Sequence, residues 1–347
     1  MLRVPYPDLQ SALLRATEHL GLSGERAQLC ARLFAETTRD GVYTHGLSRF
    51  PRFADMVANG CIDVHAEATP AVAFTPNAAF AIERWNGNLG PGNVNAHAAM
   101  QRSIALARQF GLGAVALANT NHWMRGGSYG WQAADAGCFA ICWTNTLANL
   151  PPWGASTPAL GNNPLVIAVP RPGGAHVVLD MAMSQFSYGA LTSYAARGAQ
   201  LPVPGGYDRD GELTRDPAAI EASMRALPVG YWKGSGLSLV LDMLAAMLSG
   251  GRAAHDIPLD SLRESGVSQV FLAIDPARFA ASGFADLTEL DRIASGILES
   301  LRAATPIDPA HPARYPGEQT LHLREENLRL GVPVDPTVWE KLLALAF

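Results

Sequence analysis

Gly111-Leu-Gly113-Ala-Val-Ala116 has the letters of the dinucleotide-binding fingerprint G-x-G-x-x-A with its elements reversed. In a Rossmann fold a strand runs into the glycine turn and a helix leaves it, so that the helix N-terminus faces a pyrophosphate. Here helical spacing of apolar residues predicts a helix over 94–110 before the glycines, and a continuous apolar run predicts a strand over 113–118 after them. The stretch therefore argues for an α/β protein and against a Rossmann nucleotide site. Gly234-Ser-Gly236-Leu-Ser-Leu239 does open a helix but lacks the third glycine, which leaves it a candidate anion cradle with Lys233 beside it.

Outward from this stretch, strands are expected at Ala79–Trp85, Phe139–Thr144, Leu165–Val169, Val177–Asp180 and Val267–Ile274, most of them almost continuously apolar. That pattern suits a sheet covered on both faces. A shorter helix is predicted over 126–136 and another over 234–249, while 198–232, rich in Gly, Pro and charge, reads as loop. The first ~60 residues read as three helices, over 8–20, from a cap at Ser23 to Asp40, and over 48–58. The C-terminal part holds a helix over 286–303, a Pro-rich connector to Pro316 and two final helices. The simplest layout is a discontinuous helical domain, 1–75 with 250–347, around a central α/β domain, 76–249.

The chain has 347 residues, 48% apolar and 16% charged, enough to bury a large core and to exclude disorder. Its net charge of −5 advertises no basic face, so nucleic acid and anionic membrane are poor partners. No run reaches the ~18 apolar residues of a membrane span. Leu237–Leu248 is short and carries Asp242, and no secretory leader is visible, so a cytoplasmic location is expected. Cys30, Cys61, Cys138 and Cys142 do not make a disulfide framework. Cys138 and Cys142, four apart on one strand face, read as buried small hydrophobes. No H-E-x-x-H or C-x-x-C is present, so no metal site is called. Gly126-Gly-Ser128-Tyr-Gly130 matches the nucleophile elbow in letters, but the preceding strand ends near Ala118, too early for an elbow.

Five stretches carry candidate chemistry. Asp40-Gly-Val-Tyr-Thr-His45-Gly-Leu-Ser-Arg49 places His45 on a loop between helices and Arg49 in the first turn of the next one. An imidazole of ordinary pKa near ~6.5 can donate a proton to a carbonyl oxygen, and a guanidinium can fork onto a carboxylate. Asn119 to Trp131 leaves an apolar strand at its C-terminal edge, where α/β enzymes place ligands, and carries His122 among Trp, Tyr and Arg. Gly161-Asn-Asn-Pro164 with Pro151-Pro-Trp153-Gly154 is either a ligand-holding turn or a plain one. Asp180, at a strand end, is placed to orient a histidine, to bind a ribose hydroxyl, or to cap a helix. Pro228 to Gly236 sets Lys233 beside Trp232 at a helix entry, suited to an anion or simply solvated.

Tyr43-Thr-His45-Gly, Asn121-His122-Trp-Met-Arg125-Gly-Gly-Ser-Tyr-Gly-Trp131, Asn145 with Pro151-Pro-Trp153-Gly154, Gly161-Asn-Asn-Pro164, Asp180-Met-Ala-Met-Ser184 and Gly230-Tyr-Trp-Lys233-Gly-Ser-Gly236 together resemble the type-2 malate/L-lactate dehydrogenase family. The resemblance runs in order from about residue 5 to about 345. It implies a non-Rossmann nicotinamide enzyme with a mixed central sheet, and a homodimer with its active site near the subunit contact. It implies His45 as proton donor to the substrate carbonyl. It implies cofactor contacts at His176, Val177, Val178, Leu179, Asp180, Met181 and Ala182, at Trp232 and Lys233, and at Gly317, Glu318 and Gln319. The last block departs from the members it most resembles, which more often read Pro-Gly-His-Glu, so that contact rests on backbone. His176 is not a residue the family is expected to fix.

The activity so implied is reduction of a 2-keto or 2,3-diketo sugar acid by NADH, NADPH not being excluded. His45 serves as acid, Arg49 as carboxylate clamp and His122 as second polarising donor, with exchange of roles between the two histidines open. The alternatives are a dehydrogenase of another 2-hydroxy acid such as malate, lactate or ureidoglycolate, and a cyclic imino-acid reductase. A different class is a metal-dependent hydrolase using His45, His122 and Asp180, and a further one is a non-catalytic sugar-acid binder.

Overall fold

The computed structural model describes residues 2–71, 80–260, 262–280 and 287–346. At its N-terminal end lie α1 (Tyr6–His19), α2 (Gly24–Arg39) and α3 (Phe50–Ala58). Ser23 holds the N-cap position of α2, but its side chain makes no capping hydrogen bond. A 3-10 turn, Leu47–Arg49, precedes α3, so Arg49 stands just ahead of the helix rather than inside its first turn.

The decisive glycines serve packing. Helix α4 (Gly92–Phe110) ends at Gly111, whose φ of +88° closes the helix as few other residues can. A Cβ on Gly113 would lie 2.2 Å from the Ser103 carbonyl and 2.5 Å from the Ala107 nitrogen. The helix therefore rests backbone to backbone on the strand that follows it.

That strand belongs to a seven-stranded sheet of β1 (Thr69–Pro70), β2 (Ile82–Asn86), β3 (Leu112–Asn121), β4 (Phe139–Thr144), β5 (Leu165–Val169), β6 (Val177–Met181) and β7 (Ser265–Ile274), in the order β1-β2-β3-β7-β4-β5-β6. Only β2 and β3 run parallel, and every other neighbour is antiparallel. The sheet is thus mixed and not Rossmann-like. Alternate residues feed two layers. Val115, Leu117, Cys142 and Phe271 join a core with Cys138 and the helices α4 and α5 (Gly127–Asp135), while Ala116, Trp143 and Val270 face a second core.

The second core is closed by α6 (Tyr188–Ala196), α7 (Pro217–Ser223) and α8 (Trp232–Ser249). The region expected as loop therefore contains α7 and a small hairpin, Gly206–Tyr207 with Leu213–Thr214. A seven-residue helix shows no period to read. It is nucleated by Asp216, whose carboxylate accepts from the Ala218 and Ala219 amides.

Behind β7 follow α9 (Pro276–Ala280), α10 (Leu287–Ala303), α11 (Glu318–Leu330) and α12 (Pro336–Ala346). Chain ends meet in an antiparallel pair, Leu2–Val4 with Val332–Val334, over a core of Leu9, Leu13, Phe34, Phe50, Phe53 and Leu342. The division expected at residue 250 does not follow the sheet, because β7 is its middle strand. Ala79 and Asp286, the first residues of two expected elements, lie outside the described residues.

Candidate functional site

Two loops bring His45 and His122 together. Gly46 folds the first loop back onto α2, where a Cβ would sit 2.3 Å from the Thr38 hydroxyl, and the Leu47 amide donates to that hydroxyl at 2.8 Å. The second loop leaves β3 at Asn121, whose side-chain amide donates to the Leu89 and Gly90 carbonyls at 2.7 and 3.0 Å. Gly92 presses on the carbonyls of Asn121 and His122, where no side chain would fit. The imidazoles stack with centroids 5.9 Å apart and planes 17° from parallel.

Their environments differ. The Met124 amide donates to His122 Nδ1 at 3.0 Å, so the neutral ring carries its proton on Nε2. Met124 adopts φ +65°, a left-handed backbone that costs energy for a residue with a Cβ and occurs mostly at working sites. Burial pushes His122 well below the ordinary histidine range, helped by the charges of Arg49, His45 and Arg52. His45 Nδ1 lies 3.0 Å from the Thr44 hydroxyl. Burial, then the charges of Arg49 and Arg125, hold its pKa down at about 4. The ordinary value assumed from sequence therefore does not apply to the free protein, where both rings are neutral at pH 7.

Arg49 feels the charge of Glu264, but that carboxylate is engaged by Arg52 at 3.2 Å. No ion pair of Arg49 itself occurs among the described residues. Burial and the charge of Arg52 lower its pKa to about 10, still leaving it cationic at pH 7. A half-buried cation beside two neutral imidazoles is a site for an anion that also offers an oxygen to the rings.

Behind the pair lies a cluster that sequence reading did not single out. The buried Asp40 carboxylate takes hydrogen bonds from Arg39 Nε at 2.8 Å, Arg125 Nη1 at 2.8 Å and Arg324 Nε and Nη2 at 2.9 and 2.7 Å. Burial alone would raise its pKa, but the Arg324 hydrogen bond and the charges of Arg125 and Arg39 outweigh it and hold the group at about 2. The signal was present: an aspartate closing a helix opposes the helix dipole and needs cations nearby. Arg324 also lies over the Trp131 ring, 4.7 Å from its centroid.

The three expected cofactor blocks meet along β6, the edge strand of the sheet. The Val178 amide donates to the Pro316 carbonyl at 3.0 Å, which sets Gly317 against His176 and Val178. A Cβ on Gly317 would stand 3.2 Å from the Val178 nitrogen, and its φ is +97°. At the other end the Val229 amide donates to the Met183 carbonyl at 2.8 Å, drawing Trp232 and Lys233 alongside. Asp180 is exposed and accepts from the Gly127 amide at 2.8 Å, so it caps α5 from outside and orients no histidine.

Several side chains do other work. His176 is buried, with Nδ1 accepting from the Arg171 amide at 2.9 Å and Nε2 lying 3.0 Å from Asp135, so its ring braces the hairpin. Glu318 pairs with Arg302 at 3.0 Å and Gln319 with Arg314, leaving mainly backbone for a ligand there. The amides of Lys233, Gly234 and Ser235 already donate to the Gly230, Val229 and Tyr231 carbonyls, so the anion cradle read there lacks its amides and offers the exposed Lys233 instead. Trp123, Tyr129 and Trp131 fill the core, and Gly126, Gly127 and Gly130 admit β5, β6 and Asp180 against α5. Asn162 and Asn163 staple loops, accepting from the Ser184 and Thr146 amides. His45, His122 and Asp180 do not converge as a metal-binding group among the described residues.

An exposed carboxylate at Asp180, with the Gly317 cradle toward one end of β6 and the exposed cation of Lys233 toward the other, fits the ribose, backbone and pyrophosphate contacts of a nicotinamide dinucleotide. The fold and site thus define a non-Rossmann dehydrogenase, and the chain belongs to the malate/L-lactate dehydrogenase family, whose model matches residues 4–343. It is an oxidoreductase of the kind that acts on CH–OH or keto groups. Among relatives, it is 44% identical to a 2,3-diketo-L-gulonate reductase of Escherichia coli over 99% of this chain and 100% of that one. Among solved structures, it matches a putative malate/lactate dehydrogenase from E. coli with TM-score 0.89 and 25% identity, over 100% and 95% of the two chains. It also matches a delta1-piperideine-2-carboxylate reductase from Pseudomonas syringae with TM-score 0.86 and 28% identity, over 99% and 100%.

Proposed function

We propose that the protein reduces 2,3-diketo-L-gulonate, or a closely similar 2-keto sugar acid, with NADH. The observation that carries this is Arg49, in no ion pair among the described residues, beside two neutral, stacked imidazoles. Bound dihydronicotinamide supplies the hydride. Arg49 holds the substrate carboxylate and so fixes the neighbouring carbonyl, which is orientation catalysis. His122, its Nδ1 occupied by the Met124 amide, donates from Nε2 to the carbonyl oxygen as a neutral polarising group. His45 delivers the proton to that oxygen, because its ring, unlike that of His122, has no backbone donor blocking a second proton. A bound carboxylate offsets Arg49 and raises the His45 pKa toward its working range.

The 44% identity to 2,3-diketo-L-gulonate reductases supports the sugar acid. The Pseudomonas syringae match keeps a cyclic imine as second reading. Following NADH oxidation with 2,3-diketo-L-gulonate, pyruvate and delta1-piperideine-2-carboxylate tests both. Preference for the imine removes the sugar-acid assignment.

The protein works as a homodimer through α8. Leu239, Val240, Met243 and Met247 stand exposed along one face of this helix, and Met247 is 68% exposed. Beyond Lys233 the only charged residue of α8 is Asp242, which is buried. A stripe of this kind marks an interface.

A further inference from the structure

We propose that Arg125 is the positioning residue of the histidine pair: pinned on Asp40, it holds the strained turn that fixes the His122 ring and sets a cation against the His45 ring. This rests on the polarising and acid roles given to the two rings above. Arg125 lies three residues beyond His122, in the loop between β3 and α5. Its guanidinium is buried, and one hydrogen-bonded ion pair is present for it among the described residues, from Nη1 to Asp40 Oδ2 at 2.8 Å. The buried Nε has no hydrogen-bond partner there. A Cβ on Gly127 would stand 3.3 Å from Nε and 2.9 Å from Asp180 Oδ2, so the guanidinium and a second carboxylate flank a position open only to glycine. An apolar side chain of similar length would fill the same space without the cost of burying a charge, which points to a use for the cation.

The pin reaches both rings. Asp40 closes α2, at the root of the loop that carries His45, and Arg39 and Arg324 fix the same carboxylate from other sides. Arg125 extends that fixed point to the second loop. Between it and His122 stands Met124, left-handed at φ +65°, with its amide on His122 Nδ1 at 3.0 Å. Such a backbone persists only where its surroundings over-determine it. The Met124 side chain is buried in the core of the N-terminal helices, and the next residue is tied to Asp40. Release of Arg125 lets the turn relax and the amide leave Nδ1, so the His122 proton is no longer confined to Nε2. At His45 the guanidinium acts by charge. Burial, then Arg49 from its own loop and Arg125 from the other, hold that ring at about 4. The stacked His122 is neutral, depressed by burial and by Arg49, His45 and Arg52. Removing the Arg125 charge lets His45 take its proton at higher pH.

Ring-nitrogen NMR of isotope-labelled histidines tests this without substrate. Wild type should show His122, assigned through His122→Asn, as the Nε2-protonated tautomer, and Arg125→Met should convert it to a mixture. With 2,3-diketo-L-gulonate and NADH the same variant should lose roughly 10²-fold in kcat, the scale of a small misplacement, with KM nearly kept. Its break in kcat/KM should move to higher pH. Arg125→Lys restores the cation without the planar fork, so it should return the break to the wild-type position and recover only part of kcat. Asp40 keeps Arg39 and Arg324 in both variants, so neither strands a buried carboxylate. Arg125→Gln, uncharged but polar, gives the same readings in a fold that tolerates no apolar group there. A single Nε2 tautomer at His122 without the guanidinium, or a break that does not move, overturns the proposal. Failure of wild type to oxidise NADH with the sugar acid sinks the substrate reading instead, and the ring-nitrogen result still decides the role of Arg125.

Discussion

The two ends of the proposed site are built in opposite ways. At the histidine end each turn is fastened by the same chain: Leu47 to Thr38, Asn121 to Leu89 and Gly90, and the second loop through Arg125 to Asp40, which Arg324 of α11 also grips. At the Trp232 end, aromatic and aliphatic side chains stand in the open, with Trp232 66% exposed and Trp153 edge-on to Tyr231 at 5.1 Å. The difference separates what one chain completes alone from what it leaves to a ligand or a second copy. Groups that must hold proton-transfer geometry are rigidly supported, whereas groups that receive a large partner stay exposed until it arrives.

The largest effect should come from the rigid end. His45→Ala is expected to lower kcat by about 10²–10⁴-fold while NADH affinity, read by fluorescence quenching, is nearly kept. An unchanged kcat would transfer the acid role to His122 and erase the distinction between the two rings. Next in size is Asp40→Ala, which strands Arg39, Arg125 and Arg324 without their carboxylate. Removing one partner of a buried ion cluster costs about 3–5 kcal/mol, measurable as a lower urea midpoint. A loss within the range of an ordinary surface substitution would show that the two loops are held by other means.

How much of this was legible in the sequence follows the range of the forces involved. The sheet strands were readable because each is written as a local, continuous apolar run, as in Phe139–Thr144 and Leu165–Val169, which match the observed bounds, although in the second only Val166 and Ala168 are buried and Ile167 on the other face is exposed. The Rossmann motif could be rejected because element order is local too. His45 and His122 were identifiable as candidates from their loops. The depression of their pKa values was not, since it arises first from burial, and then from charges distant in sequence, Arg125 at His45 and Arg49 at His122, with Arg49 also beside His45. Asp40 escaped for the same reason, its partners lying up to 284 residues away. His176 falls in an expected cofactor block in which its own side chain was not expected to be fixed, and its ring is engaged by the Arg171 amide and Asp135.

At the open end, Met243→Glu with Met247→Glu should dissociate a dimer without destabilising the subunit. Burial of one such side chain is worth ~1.5–3 kcal/mol, so each change should weaken association by about tenfold or more. Light scattering against concentration would read this. A wild-type protein that remains monomeric at micromolar concentration would remove α8 as a subunit interface.

The finest test concerns pH, where the rigid end should respond and the open end should not. In the free protein His45 titrates at about 4, below its ordinary 6.5. Between those values the unfolded chain binds a proton that the native state refuses, so stability must fall as pH falls through this window. His97, lowered to about 4 by burial and by Arg32, adds in the same direction. Asp40, held at about 2 against an ordinary 3.8, adds to the decline only at the acid end of this window and below it, where the unfolded carboxylate takes up a proton. His45→Asn should therefore flatten the decline between pH 6.5 and 4. In turnover the sign concerns the acid: carbonyl reduction needs protonated His45, so the rate falls as pH rises through its pKa. A substrate carboxylate on Arg49 raises that pKa, so the break in kcat should lie at higher pH than the break in kcat/KM. Arg49→Gln should move the kcat/KM break upward, because it removes a charge that holds His45 neutral. Coincident breaks in wild type, unmoved by Arg49→Gln, would mean that the guanidinium does not set the proton affinity of the ring.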